Sequence, residues 1–397
     1  MELELRRIDR MPPYVFSIVD ELKMAARHAG EDVIDLGMGN PDLATPQRVV
    51  DKLCEAAQNP RNHRYSASRG ITKLRAALCT WYARHFDVAL DPEREALVTI
   101  GVKEGMTHVA WVLLRSGDVC FVPEPTYPIH MYSGILSGAE VISIYLGPDT
   151  DFFADLLSAY HNTWPRPRVL ICSFPHNPTT HCVDLEFMER LVKFAREKDL
   201  FIVHDFAYAQ IAFDGYRPPS ILQVPGAKDV AVELMSISKS HSMAGWRLGF
   251  AAGNAHVVDG LRRLKSYLDY GVFQPIQIAG IIALNECDDA APVVSGVYRG
   301  RRDSLCEGLA RAGWPIEKPK ATMFVWAPIP EAFAPMGSLE FAKHMVESAK
   351  VAVSPGIGFG RHGDGHVRFA LVENEERIRQ AVRGIRKMLE AGPPAHI

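Results

Sequence analysis

Paired cysteines, a membrane-length apolar run and an excess of one charge are all missing from this 397-residue chain. Its cysteines (Cys54, Cys79, Cys120, Cys172, Cys182, Cys287 and Cys306) are odd in number and scattered, with no C-x-x-C pair. Disulfide frameworks and structural zinc sites need clustered spacing, so reduced thiols in a cytoplasmic protein are expected. No apolar stretch approaches the roughly 18–20 residues of a bilayer span. The opening MELELRRIDRMPPYVF lacks the apolar centre of a secretory signal. The 44 Lys plus Arg nearly balance 47 Asp plus Glu, for a formal charge of −3. That removes the basic footprint a nucleic-acid binder uses. A Walker A sequence is absent, and Gly356-Ile-Gly358-Phe-Gly360 is not the dinucleotide fingerprint G-x-G-x-x-G. His362-Gly-Asp-Gly-His366 lacks the ligand count of a metal site, and its glycine density predicts a mobile loop.

What remains is ordinary globular composition, 47% hydrophobic and 23% charged, at a length of roughly two or three domains. Seven short apolar runs cover 96–100, 119–122, 141–145, 169–172, 201–203, 230–237 and 248–252. Strand-length runs that are apolar throughout suit strands buried on both faces of a mainly parallel sheet. Helical patterns such as 186–198 lie between them, and this alternation predicts a wound α/β domain. The last hundred residues read as a smaller α+β domain, with helices at 277–285 and 305–312, isolated strands near 321–326 and 366–371, and a closing amphipathic helix at 375–390. Pro12-Pro13 suggests an extended arm. The expected division is 1–44 (arm and small-domain segment), 45–278 (large domain) and 279–397 (small domain).

Ligands of wound sheets collect beyond the carboxyl ends of the strands. Three strand ends there carry unusual polar residues: Asn177 in Ser-Phe-Pro-His-Asn-Pro-Thr, Asp205 and Tyr208 in His-Asp-Phe-Ala-Tyr, and Lys239 in Ser236-Ile-Ser238-Lys239, with Arg247 eight residues on. Each alone has a plainer reading, as a turn, a helix cap and a solvated lysine. Together they supply an amine for an aldehyde, an anion for a ring nitrogen, and cationic and hydroxyl donors for a phosphate, which is what pyridoxal phosphate requires.

The set, in this order, resembles the fold-type I aminotransferases of the aspartate aminotransferase superfamily. Within them it is most similar to the bacterial glutamate–pyruvate (alanine) aminotransferases, through RIDRMPPYVF, YSASRGITKLR at 65–75, PSILQVPGAKDVAVE at 219–233, SPGIGFG at 354–360 and HVRFALVEN at 366–374. The resemblance implies pyridoxal 5'-phosphate as cofactor and a large domain with a mainly parallel seven-stranded sheet. It makes Lys239 the residue that binds the aldehyde and then moves protons, with its pKa depressed by Arg247 and low exposure. Asp205 pairs with the ring N–H, Asn177 and Tyr208 donate to the ring's phenolic oxygen, and Tyr127 stacks on the ring. Ser236, Ser238 and Arg247 hold the phosphate, as do the amides of Val102 and Lys103 where a helix opens. Relatives usually carry Ser or Ala in place of Val102, so slightly weaker phosphate anchoring is expected. Arg368 holds the substrate carboxylate, Asn177 lies beside it, and Tyr14 and Gly39 close over the substrate. Tyr65 reaches the phosphate of a neighbouring subunit, implying a homodimer.

The implied reaction is amino transfer between L-alanine and 2-oxoglutarate, giving pyruvate and L-glutamate, in a cytoplasmic enzyme without nucleic-acid or membrane partners. Donors such as LL-diaminopimelate, methionine or aromatic amino acids, or a β-lyase reaction, are the alternatives. A catalytically idle cofactor-binding sensor is disfavoured, because the catalytic set is intact and the resemblance begins within the first dozen residues.

Overall fold

A computed structural model describes residues 5, 8–9, 11 and 14–394. Pro12 and Pro13, and with them the expected arm, lie outside these residues. Twelve strands are assigned among the described residues: β1 (Ile34–Asp35), β2 (Ala96–Thr99), β3 (Val119–Glu124), β4 (Glu140–Tyr145), β5 (Val169–Ser173), β6 (Phe201–Phe206), β7 (Ala231–Ser236), β8 (Gly249–Gly253), β9 (Phe324–Pro328), β10 (Val351–Ala352), β11 (Ser354–Pro355) and β12 (His366–Ala370).

All seven apolar runs become strands of one sheet, ordered β2-β8-β7-β6-β5-β3-β4. Only β8 is antiparallel to its neighbours; the contacts from β7 through to β4 are all parallel. Strands β2, β3, β5, β7 and β8 are buried at every residue because helices cover both faces. Each fully buried Val, Leu, Ile or Phe contributes about 1.5–3 kcal/mol on leaving water. One face packs residues such as Phe121, Leu170, Ile202 and Phe250 under the helix Thr72–Phe86. The other packs Val122, Ile171, Val203 and Leu234 under the helices Gly101–Leu113 and Ala255–Leu268. Alternate residues serving opposite cores follow from the two-residue repeat of a strand.

Local chemistry sets the helix ends. Asp151, Asp184, Asn254 and Asn374 each accept backbone N–H groups of the helix that follows. The helix Leu185–Lys198 stops at Asp199, which adopts φ +52°.

The chain's remainder differs from expectation in three ways. The two strands taken as isolated pair with each other: β9 and β12 run antiparallel, with β11 on the far edge of β12. The helix expected at 305–312 is the end of a longer one, Ala290–Arg311, whose first half contains Gly296 and Gly300 and lacks a clean apolar stripe. The stretch 362–366, expected as a mobile loop, lies in a segment folded as two short 3₁₀ turns, 356–359 and 361–363; a Cβ on Gly356 would clash with the Gly363 carbonyl oxygen, so these two glycines serve backbone-on-backbone packing. Near the N-terminus, β1 pairs in parallel with β10, Ile34 opposite Val351. No helix among the described residues is long and apolar enough to cross a membrane.

Candidate active site

The carboxyl ends of β5, β6 and β7 and the loop after β1 converge on a cavity of about 340 Å³, lined by Tyr14, Gly39, Val102, Lys103, Tyr127, Asn177, Asp205, Tyr208, Ser236, Ser238, Lys239, Arg247 and Arg368. These are all the expected site residues but Tyr65, which is 84% exposed and stacks on Tyr270 at 4.4 Å, outside this chain's cavity.

Lys239 follows β7 and donates from Nζ to the Gly39 carbonyl at 3.0 Å. Burial, with the Arg368 and Arg247 charges acting the same way and Asp205 opposing, brings its pKa down from 10.5 to about 8. An amine in this condition is deprotonated far more readily than a surface lysine. Asp205 is the penultimate residue of β6, and its Oδ1 accepts the Ala207 N–H at 3.1 Å, so it caps the turn as well as facing the cavity. Its Oδ2 lies 2.9 Å from His130 Nε2, and His130 Nδ1 lies 2.9 Å from Thr126 Oγ1. All three side chains are buried. Tyr208 is buried against Phe324, and burial raises its hydroxyl pKa well above the ordinary value.

At the other end of the cavity a cradle suited to a phosphate is assembled from close approaches. The helix Gly101–Leu113 begins without a side-chain cap, leaving its first amides for an anion. Gly101 adopts φ +74°, and a Cβ there would lie 2.3 Å from Arg247 Nη2; a Cβ on Gly249 would lie 2.8 Å from the Val102 amide nitrogen. Arg247 itself adopts φ +55° and is braced by the Ala244 carbonyl at 2.9 Å. Ser236 Oγ accepts the Ser238 N–H at 3.0 Å, which turns both hydroxyls into the same corner. Behind the cradle, Glu104 accepts the Ile100 N–H and the ammonium of the fully buried Lys265, which also reaches Asp269 at 3.0 Å. Glu104, His108 and Asp269 have metal-like spacing, but Lys265 already supplies the cation to two of them.

Arg368 on β12 is buried, with no carboxylate partner among the described residues. Its Nη1 donates to Asn177 Oδ1 at 2.7 Å and its Nη2 reaches Ser354 Oγ and the Gly37 carbonyl at 3.2 Å, while Nε has no partner. The guanidinium lies 4.0 Å from the Phe324 ring centroid and 4.6 Å from that of Phe359. Desolvation lowers its pKa to about 10. An uncompensated buried cation with a free N–H prong is a receptor for an anion.

Sequence reasoning missed His130, Ser354, Phe324 and Phe359. His130 had only its four-residue spacing from Thr126 as a signal; Ser354 and Phe359 lie in SPGIGFG and Phe324 in the strand expected near 321–326, but none of these carries a mark of a role in the site. An amine of lowered pKa, a carboxylate at a strand end and an anion cradle form one donor set, and that set fits pyridoxal phosphate.

Residues 31–385 match the family model for aminotransferase class I and II. The chain is 55% identical over 390 residues to the glutamate–pyruvate aminotransferase AlaC of Escherichia coli K12, covering 98% of this chain and 95% of that protein. It is 43% identical to the LL-diaminopimelate aminotransferase of Moorella thermoacetica, covering 97% and 98% of the two chains. Among solved structures, apo-BacF of Bacillus subtilis superposes with a TM-score of 0.91 at 33% identity, covering 98% of each chain. By fold, site and sequence, this chain belongs to the class I and II aminotransferases, enzymes of fold type I that use pyridoxal phosphate.

Proposed function

We propose that the enzyme transfers the amino group of L-alanine to 2-oxoglutarate, releasing pyruvate and L-glutamate. The observation that carries the reading is Arg368, a buried guanidinium whose Nε is unpaired and which has no carboxylate partner among the described residues, beside an amine titrating near 8. It suits an α-amino acid carboxylate held by two N–H donors. The 55%-identical glutamate–pyruvate aminotransferase supports alanine as the donor. Lys103, over the Tyr127 ring at 6.0 Å and without an ion-pair partner among the described residues, suits the distal carboxylate of 2-oxoglutarate.

In this reading pyridoxal phosphate supplies the aldehyde that takes the amino group and a ring that draws electrons from the α-carbon. Lys239 Nζ would be the base that takes the substrate's α-proton and holds it for return. Asp205, oriented by His130, would face the ring nitrogen of the bound group and favour its protonated form. Asn177 and Tyr208 would donate to its phenolic oxygen, and Tyr127 would cover its ring. Ser236, Ser238, Arg247 and the Val102 and Lys103 amides would hold its phosphate. Tyr14 and the Gly39 segment exclude water from the reacting atoms.

The same proposal includes a cytoplasmic homodimer in which Tyr65 serves the partner's site. The exposed Tyr65, Tyr267, Tyr270 and Phe273 support it, since such aromatic surface is characteristic of interfaces. A division into a large and a small domain is supported by separate apolar cores, one on the seven-stranded sheet and one joining β1 to β9, β10 and β12. Residue 278 itself lies within the helix Gln274–Glu286, whose Ala279, Ala283 and Leu284 pack in the sheet's core, so the proposed boundary moves to about residue 290. Relatives at 39–43% identity named LL-diaminopimelate aminotransferases support a second reading with that donor. Single-turnover absorbance changes with L-alanine and with LL-diaminopimelate decide between them: conversion by the second and not the first refutes the alanine assignment.

A further inference from the structure

We propose that Glu124 is a positioning residue that clasps the 356–366 segment against the end of β3 and so sets the pose of Arg368. Glu124 is the last residue of β3 and is nearly fully buried, yet it does not line the cavity. Its Oε1 accepts the His362 backbone N–H at 3.0 Å and lies 3.1 Å from His362 Nδ1, while Ser143 Oγ donates to Oε2. The Tyr145 ring packs on the His362 ring at 4.9 Å. Two residues beyond Glu124, the Thr126 N–H donates to the Phe359 carbonyl at 2.8 Å. Strand β3 belongs to the seven-stranded sheet, whereas this segment joins β11 to β12 of the three-stranded one, so the clasp ties the two sheets together.

The segment is shaped to receive this carboxylate. Gly360 adopts φ +116°, and a Cβ there would lie 2.5 Å from the Glu124 carboxyl carbon. The segment in turn supports the carboxylate site. Phe359 packs edge-on against Phe16 and Trp326 and presents its ring to the Arg368 guanidinium at 4.6 Å. Glu124 thus holds the backbone that carries Phe359, and Phe359 forms one wall of the slot in which Arg368 lies. Releasing the clasp lets that wall retreat, so the free Nε of Arg368 loses its fixed direction. The inference rests on reading Arg368 as the carboxylate-binding group, and its test separates the two.

The test uses cofactor-loaded wild type, Glu124→Ala, Glu124→Gln and His362→Ala. Hydrogen exchange by mass spectrometry follows the 356–366 peptide, and single-turnover reactions use L-alanine and ethylamine, which has no carboxylate. In Glu124→Ala, peptide exchange rises about 10-fold and the KM for alanine rises about 10-fold, the effect of one lost bond to a charged group, with kcat changed less. The ethylamine reaction stays within about twofold of wild type, because that amine does not use Arg368. Glu124→Gln recovers most of both losses, since an amide oxygen still accepts the His362 N–H. His362→Ala, which keeps the backbone bond, shows smaller changes in the same direction and carries the test if Glu124→Ala does not fold. Unchanged exchange in all three variants, or equal losses for alanine and ethylamine, overturns the clasp. Arg368→Lys in the same assays tests the underlying reading: an unchanged alanine KM there refutes Arg368 as the carboxylate group, whatever the exchange data show.

Discussion

Replacing Arg368 separates two properties that usually fall together, activity and stability. The guanidinium offers a substrate carboxylate an unpaired Nε and an adjacent Nη whose present partners are neutral. A hydrogen bond to a charged group is worth about 1.5–3 kcal/mol, and each 1.4 kcal/mol is tenfold. Arg368→Lys keeps the charge and loses one prong, so kcat/KM for alanine falls about 10- to 200-fold. Arg368→Met loses both prongs and falls about 10²- to 10⁴-fold. The carboxylate is held alike before and during reaction, so most of the loss appears in KM. Stability follows a different course, because in the free protein this cation is desolvated without a counter-ion. Its removal relieves that desolvation but frees the acceptors at Asn177, Ser354 and Gly37, so the Tm of Arg368→Met falls less than that of a variant that strands a buried-pair carboxylate. Arg301 is the control: it is buried with two 2.7 Å bonds to Asp42, and its replacement by Met strands that carboxylate and lowers the Tm by several degrees. Pyruvate formation coupled to a dehydrogenase, together with thermal melts of the wild type and the three variants, completes the assay. An alanine KM that rises less than about tenfold in Arg368→Met, or a Tm that falls as far as in Arg301→Met, refutes the reasoning.

In Lys239→Ala, borohydride no longer fixes the cofactor covalently and transamination collapses; intact mass after reduction checks this. In the cofactor-free protein Lys239 titrates near 8 against 10.5 for an ordinary lysine, so between those values the unfolded chain binds more protons and stability rises with pH. The difference of about 2.5 units corresponds to about 3 kcal/mol, so Lys239→Met stabilises the cofactor-free protein by about that much below pH 8 and by nothing above pH 10.5. Urea titrations across that window test the point, and a pH-independent gap between the two proteins contradicts it. Gly101→Ala places a methyl group against the Arg247 guanidinium at a positive φ, so cofactor affinity in a reconstitution titration falls about 10-fold or more. Mixing Tyr65→Ala with Lys239→Ala subunits restores activity if sites are shared across a dimer, and leaves it absent if each chain acts alone.

The seven-stranded sheet was legible because strands buried on both faces are apolar without interruption, and helices with apolar faces separate most of them. Lys239, Asp205 and Asn177 were legible because the crevice of a wound sheet lies where β7, β6 and β5 end. The small sheet was harder to read: β11 and β10 are two residues long, and Ile34 finds its partner at Val351. Pattern within a window carries no information about such pairings. The glycines of 362–366 read as a mobile loop for a related reason. Composition records that a residue is small, and only the folded backbone shows that the missing side chain makes room for another carbonyl or for Glu124. His130 escaped notice because its importance lies in a contact with Asp205, 75 positions away.

The parallel pairing of β1 with β10 has a bearing on how the molecule is made. Ile34 leaves the ribosome early, but the edge it adds to does not exist until residue 352 has been synthesised. Through most of translation the first helix, Val15–His28, has its apolar face uncovered, since Val19 joins the core that β10 and β12 complete. The large sheet can assemble meanwhile, but the lobe that joins residues 19–36 to 294–388 is finished after it. A nascent chain stalled before residue 351 would thus display an unclaimed greasy helix to chaperones, while one in which β10 has formed would not.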